Sequence, residues 1–372
     1  MLKKDFKSIM SGLKIPFTGI QRQYNNLRTE ILDATDTVLR SGRLMDGNST
    51  FEFERWLARR NSVDYAVTCH SGTQALEIIA AYYYLELVTA WGTRQPVVVV
   101  PAMTYPATLN AFARAGWQLI IADTDRYGQL DINRIPDESV DMLCAVGLYG
   151  QSITNMLRNA NKPIARVVED AAQHWLADHC IRTGDTAISF DPTKNLANYG
   201  NGGAVITGSR RLMEFARNWI SNGKRTNHGE LGTNSRMSET DCAQMLVKTR
   251  HIDAWQARRR KIAEHWCQGL RDREGIVCLI DDSNMRDHCF HKFVITVDNR
   301  DAVVKNLALR GVETRVHYAT PMHELPAYQH YVGPDLLSAA SSLARRCLSL
   351  PMYPELTDSE VEYVIDAVLD SV

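Results

Sequence analysis

The chain has 372 residues, 45% hydrophobic and 23% charged, with 42 Lys and Arg against 43 Asp and Glu for a formal net charge of −1. This composition excludes an intrinsically disordered polymer and a disulfide-stapled miniprotein, and it lacks the basic excess that steers a chain to nucleic acid or anionic membranes. A folded chain of this length buries about 75% of the surface exposed by its unfolded form, which predicts a large core divided over two domains.

Eight cysteines (Cys69, Cys144, Cys180, Cys242, Cys267, Cys278, Cys289 and Cys347) are scattered singly, with no Cys-x-x-Cys pair. Free thiols in a reducing, cytoplasmic setting are therefore expected. Asp5 and Pro16 interrupt the apolar residues of Met1 to Ile20, so this stretch does not read as a signal peptide. The apolar run Val97 to Val100, bracketed by Pro96 and Pro101, falls far short of the ~20 residues that span a bilayer.

In chain order, strands are expected at Tyr65–Thr68, Val97–Val100, Leu119–Ala122, Met142–Leu148, Arg166–Glu169, Ala187–Phe190 and Ala204–Thr207, separated by amphipathic stretches such as Thr73–Leu87. This alternation predicts βαβ units and an α/β fold with a mostly parallel central sheet flanked by helices. Ser221 to Asn234 is rich in Asn and Gly without an apolar period and reads as a long, ordered, functional loop. Ser238 with Asp241 marks a capped helix start, and Ile252, Trp255, Ile262, Trp266 and Leu270 share one helix face. The domain boundary is placed near residue 250, giving a large domain over 1–250 and a smaller α+β domain over 251–372. In the latter, strands are expected at Phe290–Val297 and Glu313–Val316, a helix at Asp301–Arg310 closed by Gly311, and a last helix behind the Thr357/Glu360 capping box.

Three segments carry chemistry. Ser71-Gly72-Thr73 follows a strand and opens a helix, where free first-turn amides favour a phosphate; taken alone, the tripeptide is more simply an ordinary N-cap and turn. Glu169-Asp170-Ala171-Ala172-Gln173 places an acid at the carboxyl end of a central strand, where α/β sheets bind ligands, although Asp170 could also simply cap the amides that follow. Lys194 follows the strand through Ser189 and a turn at Pro192, in a segment too apolar and glycine-rich for a routine surface. A lysine held there can lose its proton and attack a carbonyl. Gly200-x-Gly202-Gly203 precedes a strand instead of opening a helix, the wrong context for a dinucleotide fingerprint. Together the three segments meet the needs of pyridoxal phosphate (PLP): a phosphate anchor, a partner for the ring nitrogen and a Schiff-base amine, with Tyr105 to stack on the ring.

Over nearly its whole length the sequence resembles the PLP-dependent nucleotide-sugar aminotransferases of the DegT/StrS type, which have the aspartate aminotransferase fold, fold type I. Ser71 to Leu76 resembles their phosphate cup, Pro101 to Asn110 their stacking motif, Glu169 to Gln173 their acid motif and Ser189 to Gly203 their lysine motif. Gly232 to Met237 is similar to the loop that crosses to the partner subunit, and His317-Tyr318 through Tyr328 and Leu348 to Pro351 are similar to their C-terminal signatures. The resemblance implies that Lys194 is the Schiff-base lysine and moves the proton, that Asp170 pairs with the pyridine nitrogen and that Gln173 sits near the ring oxygen. It implies that Ser71, Gly72, Thr73 and Ser189 hold the phosphate, that Asn234 is donated across a homodimer and that His317 and Tyr318 face substrate. The reaction implied passes an amino group from glutamate to a nucleotide-linked keto-sugar.

The chain departs from the pattern at three places. Gly147 stands before Leu148-Tyr149-Gly150 where His is frequent, His70 stands where Asn is frequent, and His174-Trp175 follow Gln173 in place of a small residue. Related sugar dehydratases carry His at the position of Lys194, so the lysine argues for transamination; a PLP-free binding or regulatory protein has no need for lysine, acid, aromatic and phosphate cup together. No metal is expected: His288 with His291, and His317 with His323, lack a cysteine or carboxylate cluster to complete a site.

Overall fold

A computed structural model describes residues 14–92, 94–135, 140–160, 166–177, 184–280, 282–331 and 337–372. Cys180 lies outside them. In chain order the first elements are helix α1 (Ile20–Ser41), α2 (Asn48–Arg60), β1 (Tyr65–Cys69), α3 (Gly72–Trp91), β2 (Val97–Pro101), α4 (Pro106–Ala115) and β3 (Gln118–Ala122). There follow β4 (Met142–Val146), α5 (Thr154–Arg158), β5 (Val167–Asp170), β6 (Thr186–Ser189), β7 (Gly203–Thr207) and α6 (Arg210–Trp219). Seven strands form one sheet in the order β1-β7-β6-β5-β4-β2-β3. Pairing is parallel from β6 across to β3, whereas β7 runs antiparallel to both β6 and β1.

The Val-rich run of β2 is buried at all five positions, as a strand covered by helices on both faces requires. Helix α3 is apolar almost all round, with Ala75, Leu76, Ile78, Ile79 and Ala80 buried where it packs on β6, β7 and α4. Each such side chain contributes roughly 1.5–3 kcal/mol of burial, so α3 is fixed rigidly and its first turn becomes a stable platform.

The chain continues through α7 (Glu239–Thr249), α8 (Ile252–Leu270), β8 (Ile276–Cys278), β9 (Phe293–Val297), α9 (Arg300–Leu309), α10 (Ser338–Arg346), β10 (Cys347–Leu350) and α11 (Asp358–Leu369). Strands β10-β9-β8 form a second, antiparallel sheet. A separate core sits on it, in which the Trp266 ring meets Phe293 edge-on at 5.1 Å and its Nε1–H donates to the Val361 carbonyl at 3.0 Å. The expected caps are present: the Ser238 hydroxyl accepts from Asp241 N–H, Thr357 and Glu360 form a capping box, and Gly311 follows α9 at φ +75°.

Glu313–Val316 departs from expectation. It makes only isolated bridges, Val312 with Ile15 and Arg315 with Ser349, because its partners are a single N-terminal residue on one side and the end of β10 on the other. Conversely, β8 and β10 are too short for their alternation to stand out in the sequence.

Candidate active site

The parallel strands end on one side of the large sheet, where β5 delivers Asp170 and β6 delivers Ser189. Asp170 is buried. Its Oδ2 accepts from the Thr108 hydroxyl at 2.7 Å, and that hydroxyl is 2.8 Å from the Thr104 hydroxyl one helical turn earlier. Its Oδ1 accepts from the Ala172 amide at 3.2 Å, so the capping contact expected of a lone aspartate is present too. Neutral donors thus orient the carboxylate without neutralising it, leaving its charge for a cationic partner.

The start of α3 lies next to the end of β6. The Ser71 hydroxyl accepts from the Gln74 amide at 3.1 Å and caps the helix. A Cβ at Gly72 would lie 2.7 Å from Ser189 Cβ, and one at Gly203 would lie 2.3 Å from the Ser71 carbonyl carbon. Only glycine lets the three backbones close to this distance. The result is a cradle of first-turn amides bordered by the Ser71, Thr73 and Ser189 hydroxyls, a donor set that fits a phosphate.

Lys194 sits on the connection between β6 and β7. That loop is closed by Phe190 N–H to Gly202 O at 2.8 Å, by Asn198 N–H to Phe190 O at 2.7 Å and by Lys194 N–H to Asp191 O at 2.8 Å. Asn195 Nδ2 anchors it to the Gln256 side chain at 2.9 Å and to the Cys289 carbonyl at 2.7 Å. From below, Lys248 Nζ donates to the Ala197 carbonyl at 2.5 Å and lies 3.5 Å from the Tyr199 ring centroid. Burial pushes the Lys194 ammonium below its ordinary range, against the pull of the Asp191 and Asp170 carboxylates. Deprotonation to a nucleophilic amine becomes easier.

Gln173 Oε1 accepts from the Tyr149 amide at 2.8 Å, and its Nε2 donates to the Tyr318 hydroxyl at 3.3 Å. The Tyr318 ring stands 6.0 Å from that of Tyr105, which is 57% exposed. The Tyr149 hydroxyl donates to the His317 carbonyl at 2.5 Å, and His317 Nδ1 is 2.8 Å from Ser349 Oγ. Burial, with help from Lys292 and Lys194, pushes the His317 imidazole down to about 3, so it is neutral. Asn234 stands apart from this group, exposed on its own chain, although its neighbours touch the phosphate cradle: Ser235 O accepts from His70 N–H at 2.6 Å and Thr233 Oγ1 donates to Gln74 Oε1 at 3.3 Å. The loop behind it is ordered by the Asn218 side chain, which donates to Glu230 at 2.6 Å and to Thr226 at 3.1 Å.

Thr108 and Tyr149 lie inside the Pro101–Asn110 and Leu148-Tyr149-Gly150 motifs without being singled out by them, and Lys292 lies in no motif. The signal available for Thr108 was its i, i+4 spacing from Thr104; nothing local marks Lys292. His288, considered above as a metal ligand, is buried with its Nδ1 accepting from the Phe290 amide at 2.8 Å.

A family model described as the DegT/DnrJ/EryC1/StrS aminotransferase family matches residues 25–369. The chain belongs to that family. This aminotransferase is 33% identical over 369 residues to the dTDP-3-amino-3,4,6-trideoxy-alpha-D-glucose transaminase of Streptomyces venezuelae, covering 95% of each chain. It is 30% identical to a protein of Geobacillus stearothermophilus called a pleiotropic regulatory protein, covering 96% of this chain and 98% of that one. Among solved structures it is similar to S. venezuelae DesV in complex with a ketimine intermediate, with a TM-score of 0.86, 32% identity and coverage of 96% and 98%. The aminotransferase therefore has the mostly parallel α/β fold of PLP-dependent transaminases, and solved proteins of that fold include forms with PLP or pyridoxamine phosphate. No helix among its described residues is long and apolar enough to cross a membrane.

Proposed function

We propose that this aminotransferase uses PLP to pass an amino group from L-glutamate to a nucleotide-linked keto-sugar, as a cytoplasmic homodimer with its sites at the subunit interface. The proposed division of labour is a large unit over 1–250 carrying the cofactor and a small unit over 251–372 closing the substrate side. The observation that carries the reading is the convergence of a half-buried, easily deprotonated Lys194, a hydroxyl-held Asp170 and the glycine-built cradle at the start of α3.

When bound, PLP supplies an aldehyde for amine exchange and a ring that takes up carbanion charge. The Gly72 and Thr73 amides with the Ser71 and Ser189 hydroxyls would hold its phosphate, and Tyr105 would stack on its face. Asp170 would keep a proton on the ring nitrogen; Thr108 fixes the carboxylate for that task. Gln173, its amide already oriented by Tyr149, would reach the ring oxygen. Once free, the Lys194 amine would move the proton between the substrate carbon and the cofactor carbon, while His317 and Tyr318 flank the substrate. Asn234, exposed on its own chain, would complete the partner's site.

The test is direct. The purified protein should absorb in the visible, borohydride should fix the cofactor to Lys194, and Lys194→Ala should abolish exchange with glutamate. Turnover that survives Lys194→Ala would overturn the mechanism. Light scattering should give a dimer, and nucleotide-linked 3-keto and 4-keto sugars are the acceptors to screen.

A further inference from the structure

A cleft of about 410 Å³, solvent mouth included, opens beside Lys194 between the Phe17–Gln23 segment, the start of β9 and the Met352–Glu355 turn. Two cations line it that the mechanism above does not use. Lys292 is 94% buried, from its 6% exposure, and among the described residues its ammonium has no hydrogen bond or ion pair, only the Phe17 ring with its centroid 4.8 Å away. Arg259 is similarly buried; its Nη1 donates to the Phe290 and Met352 carbonyls at 3.0 and 2.8 Å, while its Nε–H has no acceptor. An ammonium that meets no acceptor and a buried guanidinium N–H that finds none, with Glu355 as the one carboxylate among the lining residues, leave the cleft short of negative charge.

We propose that Lys292 and Arg259 form a subsite for a carboxylate of the amino-acid donor, held in the cleft onto which Lys194 opens. The inference rests on the transaminase reading for the presence of a donor. The charge balance favours one carboxylate over a diphosphate: Lys194 is consumed by the cofactor, leaving two cations against Glu355, a net of +1 in the cleft. Burial, with repulsion from Lys194 and Arg259, pushes the Lys292 ammonium down to about 7, a condition a bound carboxylate relieves. A carboxylate could also come from a sugar acid, and the two sources are separable.

Ligand-observed NMR titration of the cofactor-loaded enzyme with glutarate, D-glucuronate and thymidine diphosphate tests the assignment. Lys292→Met should weaken glutarate at least tenfold and leave the other two within twofold, with Lys292→Arg restoring glutarate to within about threefold. An unchanged glutarate affinity, an equal loss for all three probes, or a loss confined to glucuronate overturns the proposal. Lys292→Gln, with a thermal melt for each variant, guards against misfolding. If the wild type exchanges its amine with no amino acid, the transaminase reading fails; if it exchanges with glutamate and Lys292→Met keeps the same KM for glutamate, only the subsite fails.

Discussion

The His174 imidazole and the Gln151 carbonyl together fill the space that a side chain at residue 147 would need: a Cβ built on Gly147 would lie 2.2 Å from both Cγ and Nδ1 of that ring and 2.4 Å from that carbonyl oxygen. Two of the places where the chain departs from its family's pattern are therefore one packing exchange, in which the ring at 174 takes up part of the room beside Gly147 and the Gln151 backbone closes the rest. His174 is fully buried, and Glu169 Oε1 lies 3.8 Å from its Nε2.

That exchange predicts non-additive mutations. Gly147→Ala should destabilise the protein by about 1–3 kcal/mol, the cost of overpacking, while in a His174→Ala background the cost should fall but not vanish, because the Gln151 carbonyl oxygen still lies 2.4 Å from the added Cβ. Thermal denaturation of the two single variants and the double variant checks this, and equal costs in both backgrounds would refute the exchange.

Thr108→Val should slow turnover by about 10–100-fold, since a hydrogen bond to a charged group contributes roughly 1.5–3 kcal/mol, without changing the fold. Its loss frees Asp170 Oδ2 to turn away from the ring nitrogen. The expected signature is a fall in kcat larger than any rise in KM for glutamate, with weaker retention of PLP on dialysis.

Lys248 makes stability depend on pH. Burial pushes its ammonium down to about 7, below the ordinary lysine value, so between pH 7 and about 10.5 the unfolded chain binds more protons than the folded one. Its destabilising contribution is fully present below pH 7 and fades as pH rises through that window. Lys248→Met should flatten the rise in melting temperature between pH 7 and 9. An unchanged slope would show that the Ala197 carbonyl and Tyr199 ring already compensate the charge.

Glu239 acts in the opposite sense. Burial tends to raise its pKa, but the Thr50 hydroxyl and the amides of Ser49, Gly47 and Thr50 donate to it and bring it below the usual carboxylate value. This stability is present above about pH 4.5 and is lost as pH falls through the lowered pKa. Glu239→Gln should lower stability at pH 7 by about 1.5–3 kcal/mol and narrow its gap from wild type in acid, measured by urea unfolding at pH 7 and pH 4.

The seven strands of the large sheet were legible from sequence because each contains a short apolar run set between amphipathic stretches or breakers, and their ends shifted by only one or two residues. Lys194, Asp170 and the Ser71–Thr73 turn were legible because each lies next to one of those strands. Lys292 was not, since its meaning depends on Phe17, about three-quarters of the chain length away, and on Arg259 from the face of α8. The same holds for Glu313–Val316, whose alternation promised a strand but whose neighbours supply single bridges.

The reversal of β7 has one more effect. Because β6 and β7 are antiparallel neighbours, the thirteen residues 190–202 between them form a hairpin tip stapled to the sheet at both ends. The backbone of residue 194 is thus tied down by hydrogen bonds on both sides. If its amine shuttles a proton as proposed, rotation about the bonds of its four methylene groups can supply the reach, with no hinge in the backbone.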